Sequence, residues 1–164
     1  MAVELNSHNK KEYPPMHSAE HILNQTMIRM FGCERSKNSH IERKKSKCDY
    51  FLANEPTLEQ IEEIENRVNE VILQNLPVSA SLIDRNNVPE TIDLSKLPDN
   101  VSQTLRLIFV GEYDSCACIG EHVHNTNEIG LFKIISTDFA EGRLRLRFKL
   151  EDCPYVEVDS SATK

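Results

Sequence analysis

Arg143-Leu144-Arg145-Leu146-Arg147-Phe148-Lys149-Leu150 alternates basic and apolar side chains without a break. Successive side chains of an extended chain point to opposite faces, so this stretch reads as a strand with one apolar face for a core and one basic face turned away from it. Just before it, Glu141-Gly142 offers a turn, and Ile129 to Ser136 is another apolar-rich run. The two runs and the turn predict a hairpin. Leu105 to Val110 reads as a further strand, so the final third of the chain is β-rich.

The earlier part reads differently. From Met16 to Phe31, Ala19, Leu23, Met27, Met30 and Phe31 recur at spacings near three and four, the pattern of a helix with one buried stripe, which Gly32 ends. A polar, basic loop from Cys33 to Lys47 follows, and then Cys48 to Leu52 reads as a short strand. Thr57 with Gln60 forms a capping box, and Leu58, Ile61, Ile64, Val68, Val71 and Ile72 continue at helical spacing until Pro77 stops the run. Val78 to Ile83 reads as a strand, and Asp84 to Asn100, with Pro89 and Pro98, as loop with room for one turn of helix. Helices come early and strands late, without βα alternation. The expectation is therefore an α+β fold, a mostly antiparallel sheet with helices packed on it. The 164 residues suit one domain, 1–164, with mobile tails at about 1–12 and 158–164.

Composition narrows the function. Apolar stretches such as Leu107-Ile108-Phe109-Val110 fall far short of the roughly 18–20 residues of a membrane span, and the first twenty residues are polar. A cytoplasmic protein with no membrane contact is expected. Five cysteines, an odd number, then suit reduced thiols or metal ligands better than a disulfide framework. Nineteen basic against 26 acidic residues give a formal charge of −7, so any binding to nucleic acid has to rely on a local basic patch. No glycine-rich phosphate loop is present, so no nucleotide cofactor is expected.

His17 and His21 lie four apart on the first predicted helix, which puts both imidazoles on one face about a turn apart. Such a pair alone is more often just polar surface, because zinc requires three or four ligands. Cys118 and His122 repeat the spacing within Asp114-Ser115-Cys116-Ala117-Cys118-Ile119-Gly120-Glu121-His122, where a loop would bring thiolate and imidazole to the same ion. Cys116 is a competing thiol. Cys33, Cys48 and Cys153 are scattered and fit small buried hydrophobes. His8, His40 and His124 have no partner at ligand spacing, and only His124 is near enough in sequence to support a ligand.

The early His-x-x-x-His, the late Cys-x-x-x-His, and the run His122-Val123-His124-Asn125-Thr126-Asn127-Glu128-Ile129-Gly130 resemble the editing domain shared by alanyl- and threonyl-tRNA synthetases, and most closely its alanyl branch. Cys48-Asp49-Tyr50-Phe51 is similar to that family's aromatic-Asp-aromatic strand, and Arg143 to Phe148 to its late strand. In extent the chain resembles the small free-standing alanyl-tRNA editing proteins that lack an N-terminal barrel. The resemblance implies a zinc site between an early helix and a late loop, with His17, His21, Cys118 and His122 as ligands. It also implies hydrolysis of the ester between a wrong amino acid, serine or glycine, and the alanine tRNA. Zinc held by fewer than four protein ligands polarises an ester carbonyl or lowers the pKa of a bound water, whereas a full set of four leaves the ion to position substrate.

On the helix face shared with the two histidines, the 100° rotation per residue places Asn24, Gln25 and Ile28. With Ile119 and Glu121 they are candidates to line an amino-acid pocket, each with an ordinary surface or core reading beside it. The late motif departs from the family's usual Cys-Gly-Gly-Thr-His: Ile119 narrows backbone freedom beside the metal, and Glu121 puts a carboxylate where a hydroxyl usually sits. Asn127 stands in place of a usual glycine. For tRNA contact there are two basic clusters, Arg43, Lys44, Lys45 and Lys47 in the loop and Arg143, Arg145, Arg147 and Lys149 on the last strand. A solvated outer face explains either cluster as well on composition alone. Besides an editing hydrolase, two readings stay open: a non-catalytic zinc-containing module that binds aminoacyl-tRNA or an amino acid, and an editor of mischarged threonine tRNA.

Overall fold

The computed structural model describes residues 13–89, 92 and 104–156. The expected tails, His8 and the part of the Asp84 to Asn100 loop that holds Pro98 lie outside the described residues. The described residues form helices α1 (Pro14–Phe31) and α2 (Leu58–Leu73) and seven strands: β1 (Ser39–His40), β2 (Ser46–Phe51), β3 (Val78–Asp84), β4 (Thr104–Val110), β5 (Asp114–Ala117), β6 (Leu131–Ala140) and β7 (Arg143–Glu151). The fold is α+β, as the sequence predicts. Every strand pairing is antiparallel, but the strands divide into two sheets, β1-β2-β7-β6 and β3-β4-β5.

α1 begins at Pro14, two residues before the apolar periodicity does. Pro14 and Pro15 occupy the first helical positions, where a missing N–H leaves no bond unmade. Gly32 ends the helix at φ 68°, its N–H donating to the Ile28 carbonyl at 2.8 Å. Thirteen of the 18 residues are buried, far more than one stripe, and they include His17, Ser18, Glu20, His21, Asn24 and Thr26. Buried polar side chains on a central helix require partners. Those partners build the site described below.

α2 starts at the expected capping box, with Gln60 N donating to Thr57 Oγ1 at 3.1 Å and Thr57 N to Gln60 Oε1 at 2.9 Å. It buries only Ile64, Val68, Val71 and Ile72 and leaves a charged outer face. In the larger sheet β7 lies between β2 and β6, and Leu144, Leu146 and Phe148 point into the core with Cys48, Tyr50 and Phe132. The hairpin turn is Glu141-Gly142, with φ of 53° and 80°, the primed geometry that matches strand twist. β6 runs on to Ala140 because Thr137 to Ala140 complete the ladder with β7 across that tight turn.

Two stretches read as loop are partly strand. Lys47 belongs to β2, opposite Arg147. Asp114–Ala117 forms β5, paired with β4 from Val110↔Asp114 to Leu107↔Ala117. The helical turn expected after Asp84 is the 3-10 turn Arg85–Asn87. Among the described residues no helix is long and apolar enough to cross a membrane.

Candidate metal centre

α1 presents His17 and His21 from its buried first half, and the segment leaving β5 brings Cys118 and His122 up to them. One ligand atom from each of the four lies within 4.8 Å of every other. Cys118 Sγ is 3.6 Å from His17 Nε2. The His17 and His122 rings stack at 4.3 Å between centroids, and His21 meets both edge-on, at 5.1 Å from His17 and 4.4 Å from His122. Three imidazoles and a thiol are the donors that a borderline-soft, tetrahedral ion such as zinc takes. His17, His21 and Cys118 are buried and His122 is partly exposed, although its Nε2, like that of His21, is itself buried.

Each imidazole is held from behind through Nδ1. His17 Nδ1 is 3.2 Å from the Glu121 carbonyl, which can only accept, so this nitrogen carries the proton. His122 Nδ1 is 3.0 Å from Ser18 Oγ, a hydroxyl that also accepts from Val123 N at 3.2 Å. His21 Nδ1 lies 3.5 Å from Cys116 Sγ and 3.6 Å from Asp114 Oδ2. Nε2 is then the nitrogen each ring can offer to an ion, and partners of this kind are what orients metal-binding histidines. The donor set therefore fits zinc.

The loop between Cys118 and His122 is fastened by a residue the sequence did not single out. Arg106 on β4 donates from Nη1 to the Cys118 carbonyl at 3.3 Å and to the Gly120 carbonyl, while Cys118 N donates back to the Arg106 carbonyl at 3.0 Å. Farther on, Thr126 Oγ1 donates to the Ile72 carbonyl at 2.9 Å and accepts from Leu76 N at 2.9 Å. Gly130 takes φ 90°, where a Cβ would come within 2.5 Å of the Glu151 carbonyl oxygen. The whole run from Cys118 to Gly130 is thus docked on its surroundings.

Residues 105–146 match the family described as the threonyl and alanyl tRNA synthetase second additional domain. The chain is 30% identical over 162 residues to the alanine–tRNA ligase of Bacillus subtilis, a match covering 98% of this chain and 18% of that protein. It is 32% identical over 137 residues to the ligase of Ligilactobacillus salivarius (83% and 15%) and 30% identical over 148 residues to that of Methanococcus maripaludis (88% and 17%). The chain belongs to the alanyl and threonyl second-additional-domain family. It spans under a fifth of the length of the curated relatives it matches.

In this additional domain the expected pocket residues separate. Asn24 is buried three residues past His21, its Oδ1 accepting from Tyr50 Oη at 2.6 Å and from Ser36 N at 3.3 Å. Burial pushes the Tyr50 hydroxyl well above its ordinary pKa, which keeps it a donor. Asn24 Nδ2 has no hydrogen-bond partner among the described residues. Ile119 is half-buried and Glu121, next to His122 in the chain, is exposed. Gln25 and Ile28 go elsewhere. They line a cleft of about 440 Å³ with Arg29, Arg35, Tyr113 and Asp114, and none of the four candidate ligands borders it. Gln25 Nε2 donates to Asp114 Oδ1 at 2.8 Å, which turns it toward β5.

His124 is exposed and tied down by its backbone, N donating to Glu128 Oε2 at 3.1 Å and the carbonyl accepting from Val78 N at 2.9 Å. The groups facing Nδ1 of the candidate ligands are Ser18, Asp114, Cys116 and the Glu121 carbonyl. Of the other thiols, Cys48 is buried, while Cys33 and Cys153 are half-buried and donate to the Met27 and Glu128 carbonyls at 3.6 and 3.3 Å. Desolvation raises the Cys33 pKa.

The two basic clusters differ in kind. Arg43, Lys44 and Lys45 are exposed, and the Arg43 guanidinium lies 4.4 Å over the ring of Tyr13, one helical turn before His17. On β7, Arg145 is locked to Asp49, Arg147 to Asp138 at 2.9 Å and Lys149 to Glu151 at 3.2 Å. Arg143 is half-buried, with Nε lacking a hydrogen-bond partner among the described residues.

Proposed function

We propose that this chain hydrolyses the ester bond between a wrongly attached amino acid and its tRNA, with serine or glycine on the alanine tRNA as substrate and zinc as cofactor. The observation that carries the reading is the convergence of His17, His21, Cys118 and His122 from two distant stretches of a chain similar to alanine–tRNA ligases. With all four ligands bound, zinc in that set would position the aminoacyl end, and with one ligand displaced it would supply Lewis acidity toward the ester carbonyl. The protein's own part is to aim the ligands and shape the approach. Arg106 holds the Cys118 to Gly120 backbone, Ser18 and the Glu121 carbonyl fix two rings, and the aminoacyl end would approach from the partly exposed side of His122. Asn24 Nδ2, buried near His21, is a donor for the amino-acid moiety.

The tRNA backbone is met by Arg43, Lys44 and Lys45, with Lys47 and the β7 cations as a weaker, partly neutralised face. Such a role belongs in the cytoplasm, where aminoacyl-tRNA is used. The test is deacylation of serine-charged alanine tRNA by the purified protein, beside alanine-charged tRNA and a zinc-chelated sample. Selective, metal-dependent release of serine supports the reading. No release from either tRNA with zinc bound would replace it with the second reading, a module that binds aminoacyl-tRNA without turnover. That alternative is favoured by Ile119 and Glu121 between the two late candidate ligands. A panel that includes mischarged threonine tRNA separates the third.

A further inference from the structure

Behind His21, on the side away from the other ligands, lies a buried charge network spanning three elements. Asp114 on β5 is 3% exposed and Arg35, just past α1, is 4% exposed. Arg35 Nη2 is ion-paired to Asp114 Oδ1, which also accepts from Gln25 Nε2 at 2.8 Å. The other oxygen, Oδ2, faces His21 Nδ1 at 3.6 Å. Burying an ion pair costs desolvation that the attraction between its members often fails to repay, so stability alone is a poor reason to keep one. Its placement against a candidate ligand supplies a better one.

His21, Asp114 and Cys116 also satisfy the distances for a metal of their own, with ligand atoms within 4.8 Å. Charge decides against that use. The Arg35 guanidinium already occupies Asp114, and a second cation there would face it at contact distance in a water-poor interior.

We propose that Asp114, held by Arg35 and Gln25, is a positioning residue that fixes His21 as the Nδ1–H tautomer and thereby presents Nε2 to the metal. Asp114 faces His21 at Nδ1, away from the ligand nitrogen, whereas the Glu20 carboxylate lies 3.6 Å from His17 at Nε2, the nitrogen turned to the ion. At Nδ1, His17 has a carbonyl and His122 a hydroxyl. A carboxylate behind an imidazole makes it the more electron-rich ligand, and the pull between Nδ1–H and Oδ2 strengthens once a cation draws on Nε2. Cys116, 3.5 Å from the same Nδ1, sits at this support and outside the ligand set.

The inference rests on the metal-holding part of the proposed function and is independent of the ester chemistry. Its test is zinc affinity, read by competition with a chromophoric chelator, together with zinc stoichiometry and the ¹⁵N NMR tautomer of His21 in metal-free protein. Wild type, Asp114→Asn, and Asp114→Asn combined with Arg35→Gln are compared. The double variant removes the guanidinium that the single change would strand, so a folded sample remains if the single variant fails to fold. One zinc per wild-type chain, affinity roughly 10- to 100-fold weaker in the folded variants, and an Nδ1–H tautomer in the wild type alone are the expected results. Unchanged affinity in the double variant, an Nε2–H tautomer in the wild type, or two zinc ions per chain overturns the role of Asp114. A wild type that binds no zinc removes the metal reading itself.

Discussion

Arg145 donates two parallel hydrogen bonds to Asp49 across β7 and β2, Nε to Oδ1 at 2.7 Å and Nη2 to Oδ2 at 2.8 Å. Asn38 Nδ2 adds a third at 2.8 Å. The Arg145 bonds hold the Asp49 carboxyl below its ordinary pKa, and the partner guanidinium is raised in turn. A carboxyl depressed in the folded state stabilises the fold above its unfolded value, about 3.9, and that contribution is lost as pH falls through the lower, folded value. The expected outcome is that wild type melts above Asp49→Asn near neutral pH and that the gap narrows steadily below about pH 4. Thermal melts from pH 7 to 2 check it, and a gap that stays constant would remove the ion pair as its source.

That same pairing removes Arg145 from the cations free to meet phosphate. Arg147 and Lys149 are likewise engaged with Asp138 and Glu151, whereas Arg43, Lys44 and Lys45 are exposed in the loop before β2. Changing Arg43, Lys44 and Lys45 to Gln should weaken tRNA binding and flatten the dependence of log affinity on log salt by about 0.7–0.9 for each phosphate no longer neutralised. The pair Arg147→Gln and Lys149→Gln should change both by less. A salt titration of binding compares the two, and a steeper loss from the strand variants would reverse the assignment.

Most of the fold was legible in local pattern. The alternation from Arg143 to Leu150 and the capping box at Thr57 each reflect forces acting within a few residues, and both elements stand as read. The two halves of the candidate centre were visible for the same reason, since each is a pair spaced by four. Its supports were not. Arg35 and Asp114 are separated by 79 positions and Ser18 and His122 by 104, so no window along the chain joins them. The one available signal was composition: Ser18 and Glu20 interrupt what would be the most deeply buried part of α1. β5 was missed because Asp114-Ser115-Cys116-Ala117 is four residues long and gains its strand form from pairing with β4.

Purified wild type should carry about one zinc per chain, and Cys118→Ala should lose both metal and deacylation while remaining folded. Cys118 N still donates to the Arg106 carbonyl after that change, so the loop keeps its backbone anchor. Because a ligand bound only to the folded state raises its melting temperature, a chelator should lower the melting temperature of the wild type and leave that of Cys118→Ala unmoved. Metal analysis and paired melts read both. Unfolding of Cys118→Ala would mark the ion as structural.

Gly130 and Gly32 both take positive φ, 90° and 68°, yet they should respond differently to alanine. At Gly32 a Cβ meets nothing within 4 Å, so the cost is the left-handed backbone alone, about 1 kcal/mol. At Gly130 it would come within 2.5 Å of the Glu151 carbonyl oxygen and 2.7 Å of Cys153 Cα, both backbone atoms that cannot swing aside. Gly130→Ala should therefore destabilise by about 2–4 kcal/mol, the strain plus a backbone shift at the end of β7. Chemical denaturation of the two variants gives the comparison, and equal losses would show that the β7 end yields freely.

Glu121 separates two functions within one residue. Its carbonyl accepts from His17 Nδ1 at 3.2 Å, while its side chain is exposed beside His122. Glu121→Thr should leave zinc content unchanged, because the backbone contact that orients His17 remains. It should lower the KM for aminoacyl-tRNA severalfold at low salt, since an exposed carboxylate next to His122 in the chain repels an incoming phosphate backbone, and the gain should shrink as salt screens the charge. Steady-state deacylation at two ionic strengths, with zinc measured on the same samples, tests both halves. Loss of zinc would mean that the side chain, and not the carbonyl alone, holds the Cys118 to His122 loop in place.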